Sequence, residues 1–170
     1  MPDLASVLWL ILPAYVANSS ATFAKGRISI DFSKKFPDGR PIFGAGKTFE
    51  GFALGVAVGT IAGFLQSVLQ SAYGVSPAFS MNITIAFAMS AGALLGDIAG
   101  SFVKRRFGLK RGEPVPLLDQ LDFVAGSLVV ASFFYAISLD TMLVLAIITP
   151  VIHLAANVIG YKLGVKKEPW

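Results

Sequence analysis

Five apolar windows divide the chain, near residues 4–24, 51–72, 79–103, 119–138 and 141–163, and polar residues crowd into two stretches between them, 25–50 and 104–118. Each window comes close to the roughly 20 residues a helix needs to cross a hydrocarbon core of about 30 Å. In lipid, only a helix or a closed barrel satisfies its own backbone polar groups. The pattern predicts an all-α, polytopic integral membrane protein with five transmembrane helices, folded as one membrane domain over residues 1–170. The first window lacks a basic segment before its apolar run and carries Pro13, Asn18 and Ser19, so it reads as a retained helix rather than a signal peptide.

Charge placement orients these helices. Lys25, Arg27, Lys34, Lys35, Arg40 and Lys47 follow the first window, Lys104, Arg105, Arg106, Lys110 and Arg111 follow the third, and Lys162, Lys166 and Lys167 close the fifth. The other connections, "SAYGVSP" and "SLDT", have no cation. Positive-inside bias then predicts cytoplasmic loops at 25–50 and 104–118, a cytoplasmic C-terminus and an external N-terminus.

Composition narrows the chemistry. The 170 residues are 55 % hydrophobic and 14 % charged, with a mean hydropathy of +0.70. Without cysteine there is no disulfide, thiolate metal site or cysteine nucleophile, and the single His153 cannot form a histidine cluster. Any metal must bind through oxygen, which favours Mg²⁺. The net charge of +4 resolves into membrane-flanking loops, so no nucleic acid partner is expected. Gly51, Gly55, Gly59 and Gly63 form an i+4 stripe on helix 2, as do Gly92, Gly96 and Gly100 on helix 3. Such stripes allow close helix approach, either packing helix 2 on helix 3 or forming a homodimer face.

The acids of the third and fourth windows need a reason to be there. Asp97, Ser101 and Lys104 follow i, i+4, i+7 spacing and share one helix face near the cytoplasmic rim. Asp119 and Asp122 share a face where helix 4 begins; either alone is explained by capping and the helix dipole. Three carboxylates beside Lys104, Arg105 and Lys110 suit a metal-bound polyphosphate, because carboxylates hold Mg²⁺, the metal bridges phosphate oxygens and cations neutralise the remainder. Lipid-head anchoring would explain the cations but not the acids.

"GAGKTFEG", residues 44–51, ends like a P-loop but has Pro41 where the pattern needs glycine, and it precedes a membrane helix rather than following a strand. Its parts still suit phosphate: Lys47 as cation, Thr48 as helix cap or phosphate ligand, and Glu50 as metal ligand or partner of Lys47. Asn18 lies near the level of Asp97, one turn after Pro13. His153 with Asn157 at i+4 reads as an interhelical hydrogen-bonding pair.

"GDIAGSFVKRRFGLK" followed by "DQLD" resembles the signature of the CTP-dependent phosphatidate cytidylyltransferases, S-x-x-K-R, four residues, K-D, then H-G-G-x-x-D-R-x-D. Ser101, Lys104, Arg105, Lys110, Asp119 and Asp122 match it, Asp97 stands at the family's G-D-L, and "GKTFEG" is similar to K-K-T-x-E-G. Arg111 replaces the Asp of K-D, Gln120 replaces the Arg of D-R, and "PVP" at 114–116 stands in place of H-G-G. The short chain, "DQLDF" and the "AN" of helix 1 resemble the archaeal branch of the family, the CDP-archaeol synthases.

That resemblance implies a Mg²⁺-dependent cytidylyltransferase moving CMP from CTP to 2,3-bis-O-(geranylgeranyl)-sn-glycerol 1-phosphate in the cell membrane, with the site facing the cytoplasm. Asp97, Asp119 and Asp122 would hold metal, and Lys104 would act with them in catalysis. Lys47, Thr48, Glu50, Ser101, Lys104, Arg105, Lys110 and Asn18 would bind CTP phosphates. The alternatives are a CDP-diacylglycerol synthase acting on phosphatidate, a small transporter using Asp97, and a non-catalytic membrane scaffold.

Overall fold

The computed structural model describes residues 3–73, 79–162 and 164. Among them every regular element is helical: α1 (Leu4–Ala21), α2 (Phe49–Tyr73), α3 (Ile83–Arg106), α4 (Leu118–Ser132) and α5 (Leu139–Lys162). Outside the helices, β-type pairing among these residues is limited to two isolated bridges in the first polar loop, Ser29 with Thr48 and Lys35 with Pro41. Each apolar window therefore becomes one helix, with polar caps setting some ends. Asp3 accepts from Ser6 N before α1, and Asn82 accepts from Ile85 N before α3. Residues 74–78 of the second connection, and Lys166 and Lys167 of the C-terminal cation cluster, lie outside the described residues.

α4 departs from expectation. The apolar pattern predicts a helix to residue 138, but the helix has 15 residues and ends at Ser132, which makes it about 22 Å long. The chain turns early because Ser138 starts the next helix. Its hydroxyl accepts from Thr141 N at 3.3 Å and bonds Thr141 Oγ1 at 2.9 Å, while Tyr135 packs edge-on against Phe79. The other four helices are long and apolar enough to cross a membrane, so the described residues supply four candidate spans where five were expected.

α3 is the central helix and packs on α1, α2 and α4. Val7, Leu10 and Ile11 of α1, Met89 and Ala93 of α3, Phe123 of α4 and Leu145 of α5 form the buried core. Ile61, Phe64 and Leu65 of α2, with Ile147 and Val151 of α5, point outward and stay exposed, the arrangement expected of helices solvated by hydrocarbon. Among the described residues α5 packs only on α4 and α1, which leaves a gap between it and the α2–α3 face.

The glycine stripes are consumed within the chain. A Cβ at Gly59 would lie 2.6 Å from the Pro13 carbonyl oxygen of α1 and 2.5 Å from Ser90 Oγ of α3, whereas one at Gly96 would lie 2.1 Å from the Asp122 carbonyl oxygen of α4. The α2 stripe thus admits both α1 and α3. The α3 stripe faces α4 rather than α2, meeting a further glycine, Gly126, whose Cβ would come within 2.3 Å of the Gly92 carbonyl oxygen. This occupancy removes both stripes as a homodimer face.

Candidate active site

Where the two polar loops fold back on the helix ends, a cavity of about 560 Å³ opens into the gap beside α5. All five helices reach its wall: Asn18 from α1, Phe52 from α2, Asp97 from α3, Asp119 from α4, and His153 and Asn157 from α5. Its size falls within the range of small-molecule sites. A second cavity of about 450 Å³ adjoins it, sharing Gly46, Lys47 and Thr48. Lys25, Lys47, Lys104, Arg105 and Arg111 line this second chamber together with Ser101, and no carboxylate does. The two chambers differ sharply in charge.

At the boundary each acid meets a cation. Lys47 Nζ of the first loop donates to Asp97 Oδ2 of α3, and Lys104 Nζ of α3 donates to Asp119 Oδ1 of α4 at 2.5 Å. Asp119 Oδ2 also accepts from Val115 N at 2.9 Å, tying the second loop to the start of α4. Asp122, one turn further along α4, lines neither cavity. It sits behind the wall with its carboxylate against Gly100, where a Cβ would come within 2.1 Å of Oδ2, and it feels the charges of Asp97, Lys47 and Asp119. Among the described residues no three His, Asp or Glu side chains form a ready-made metal cage, because lysines stand between the acids. The donors are nonetheless all carboxylate oxygens within electrostatic range of one another, the set that a hard cation such as Mg²⁺ takes.

The remaining predicted residues divide between site and scaffold. Ser101 and Arg105 are buried and face the cationic chamber. Arg105 Nη1 donates to the Leu109 carbonyl, and its Nε is buried without a hydrogen-bond partner among the described residues. Thr48 caps α2 through Gly51 N, which donates to Thr48 Oγ1 at 3.1 Å, and it also lines both chambers. Glu50 lies outside the lining of both cavities among the described residues; it accepts from Arg27 N at 2.9 Å and Ile28 N at 3.3 Å, buckling the start of the first loop to α2. Lys110 is exposed and lines neither cavity, while Arg111, which stands where the family motif has an acid, lies in the cationic chamber beside Gly46.

His153 and Asn157 bond to each other at 3.1 Å along α5, and both line the cavity. Asp31 was not visible as a structural residue in the sequence. Its carboxylate accepts from the amides of Ser33, Phe43 and Gly44 at 2.9, 3.0 and 2.8 Å. Burial alone would raise its pKa, but the amide bonds from Gly44, Phe43 and Ser33 prevail and hold it below the ordinary carboxylate value. Arg106 fastens the same loop to α3: it pairs with Asp38 at 2.6 Å, donates to the Pro41 carbonyl and stacks over Phe36 and Phe102.

Fold and site define a multi-pass membrane protein with a charged, two-chambered cavity at its helix ends. Residues 3–170 match the CarS-like CDP-archaeol synthase family. The chain is 46 % identical over 171 residues to the CDP-archaeol synthase of Pyrobaculum aerophilum, covering 99 % of both chains, and 40 % identical to that of Methanocaldococcus jannaschii, covering 96 % and 95 %. It is also similar to a solved structure described as an intramembrane enzyme for archaeal membrane lipids biosynthesis, with a TM-score of 0.81, 39 % identity, and coverage of 92 % of this chain and 95 % of the other. The chain belongs to the CDP-archaeol synthase family and is an enzyme, a nucleotidyltransferase.

Proposed function

We propose that this enzyme transfers the cytidylyl group of CTP to 2,3-bis-O-(geranylgeranyl)-sn-glycerol 1-phosphate. The observation that carries the reading is the pair of adjoining chambers, one acid-containing and open toward the helices, the other lined by five cations. A phosphate oxygen of the lipid attacks the α-phosphorus of CTP in line, and the bond to the β-phosphate bridging oxygen breaks. Pyrophosphate then leaves into the cationic chamber. Both reactants are polyanions, so alignment and charge neutralisation carry most of the catalysis.

Lys47 and Lys104, released from Asp97 and Asp119, turn to the phosphates, while Arg105 and Arg111 take the triphosphate and its leaving group. Asp97 and Asp119 would hold Mg²⁺, with Asp122 adding its charge from behind the wall; the ion would neutralise phosphate oxygens and polarise phosphorus toward attack. Asn18, His153 and Asn157 also line the larger cavity, and these neutral polar groups suit the nucleoside and glycerol portions. Positive-inside bias supports a cytoplasmic site and an external N-terminus, with α4 and the residues that follow it making a short fifth crossing.

The test is pyrophosphate release by purified protein in detergent with CTP and Mg²⁺, with and without the geranylgeranyl ether phosphate, in parallel with phosphatidate and with EDTA. Release that needs both the ether lipid and metal is expected, and Asp97→Asn should abolish it in folded protein. Activity of Asp97→Asn near that of the parent would refute the role given to Asp97. Release with phosphatidate alone would reassign the substrate to a diacyl lipid.

A further inference from the structure

The first polar loop has an apolar, cationic edge that the catalytic reading does not use. Asp31 is buried and holds three amides, but the residues immediately after it, Phe32 and Ser33, take φ values of 49° and 59°. That left-handed conformation is strained for a bulky aromatic and persists only where the surroundings impose it. Here the Asp31 bonds to Ser33, Phe43 and Gly44 impose it, and the effect is to turn the Phe32 ring outward, 63 % exposed.

The ring has a fixed place. It lies 5.6 Å from the ring of Phe49, the first residue of α2, and the Ile28 carbonyl, on the same loop, accepts from Phe49 N at 3.0 Å. With 25 residues, α2 is about 37 Å long, more than a hydrocarbon core of about 30 Å. When α2 spans, its ends reach headgroup depth, which sets Ile28, Phe32 and Phe49 at the interface. Lys25, Arg27, Lys34 and Lys35 are exposed along the same loop. Aromatic rings favour that depth, and Lys and Arg there attract anionic lipid.

We propose that the Ile28–Phe32–Phe49 edge is a membrane-interface anchor. Phe32 beds among the headgroups and upper acyl chains of the leaflet that α2 enters, and Lys34 and Lys35 engage anionic headgroups. Asp31 joins this anchor to Phe43 and Gly44, three residues before Lys47, so the loop that closes the site is held in register with the leaflet. The inference rests on loop geometry and stands whatever the substrates prove to be.

Because the chain has no cysteine, single spin labels report cleanly. Labels at Phe32→Cys and Ile28→Cys are compared in vesicles containing phosphatidylglycerol with a water-exposed reference, Pro37→Cys, and a lipid-facing reference, Phe64→Cys, by collision with oxygen and with a water-soluble nickel complex. The Phe32 and Ile28 labels should favour oxygen over nickel several-fold more than the Pro37 label, and Lys34→Gln with Lys35→Gln should shift both toward water. Ile28→Cys decides the matter if a label at Phe32 undoes the turn. Nickel access at Ile28 and Phe32 equal to that at Pro37 would overturn the proposal.

Discussion

Gly100→Ala tests the idea that a glycine was kept to make room for a carboxylate. The added Cβ would sit 2.1 Å from Asp122 Oδ2 and 2.9 Å from both Asp122 Cβ and Cγ, so to reach ordinary contact at 3.4 Å the oxygen must retreat by about 1.3 Å and the Asp122 Cβ, with a small shift of its backbone, by about 0.5 Å. Two effects on stability oppose each other. Helix propensity favours alanine by roughly 0.5–1 kcal/mol, and overpacking costs about 1–3 kcal/mol, so the net loss should be modest and the protein should fold. If Asp122 supports the metal-holding acids as proposed, activity should fall much further, by about 10²-fold, the effect of a misplacement of about 1 Å. Gly96→Ala is the informative contrast. There the Cβ would lie 2.1 Å from the Asp122 carbonyl oxygen and 2.9 Å from its carbon, backbone atoms that no rotamer change can move, and α3 must separate from α4. Pyrophosphate release measured beside thermal unfolding in the same detergent should thus find Gly100→Ala folded but nearly inactive, and Gly96→Ala strongly destabilised. A folded Gly100→Ala enzyme with the parent kcat would refute the argument, because the exact place of the Asp122 carboxylate would then be immaterial.

Arg111→Ala should raise the KM for CTP about tenfold, the loss of one charge-assisted contact of about 1.4 kcal/mol, whereas Lys110→Ala should leave kcat and KM within about twofold; the reverse result would move the phosphates out of the cationic chamber. Glu50→Gln should loosen the start of the first loop, seen as faster proteolysis near residues 25–30 with unchanged metal dependence, and a shift in metal dependence instead would make Glu50 a ligand. Asp31 has a folded pKa below its ordinary value, so its contribution is complete above the ordinary carboxylate range near pH 4 and fades as pH falls through the folded value. Hydrogen-exchange protection at Phe43 and Gly44 should therefore drop on the acid side, and Asp31→Asn should lose part of that protection at neutral pH while lacking the acid step.

Helix positions were legible because an apolar run of about 20 residues has few alternatives in lipid, and four of the five windows became helices long enough to cross a membrane. The end of α4 was not legible, since Phe133 and Phe134 continue the apolar pattern and only the choice of Ser138 as the next cap stops the helix. The glycine periodicity announced close packing, but for the α3 stripe the expected partner, α2, gave way to α4, since the partner depends on which neighbour also has a small residue, here Gly126 opposite Gly92. Of the residues that line the cavities, Asp97, Lys104 and Asp119 were readable from their spacing and from a family motif. Their pairing was not, because Lys47 and Asp97 are 50 residues apart and meet only after the loop folds. Arg111 read as a lost acid rather than as a gained cation, and the bonds from Arg27 and Ile28 to Glu50 were not foreseen, since backbone amides that receive a carboxylate leave no trace in side-chain patterns.

The two lysine–carboxylate pairs at the chamber boundary have a thermodynamic consequence. Lys47 with Asp97 and Lys104 with Asp119 make the resting site its own counter-ion, each charge partly shielded from water by its partner. A cation that takes the acids frees the lysines, and a polyanion that takes the lysines frees the acids. If the site takes both, as proposed, each ligand does part of the other's unpairing, so their affinities should rise together, and by reciprocity the factor is the same in both directions.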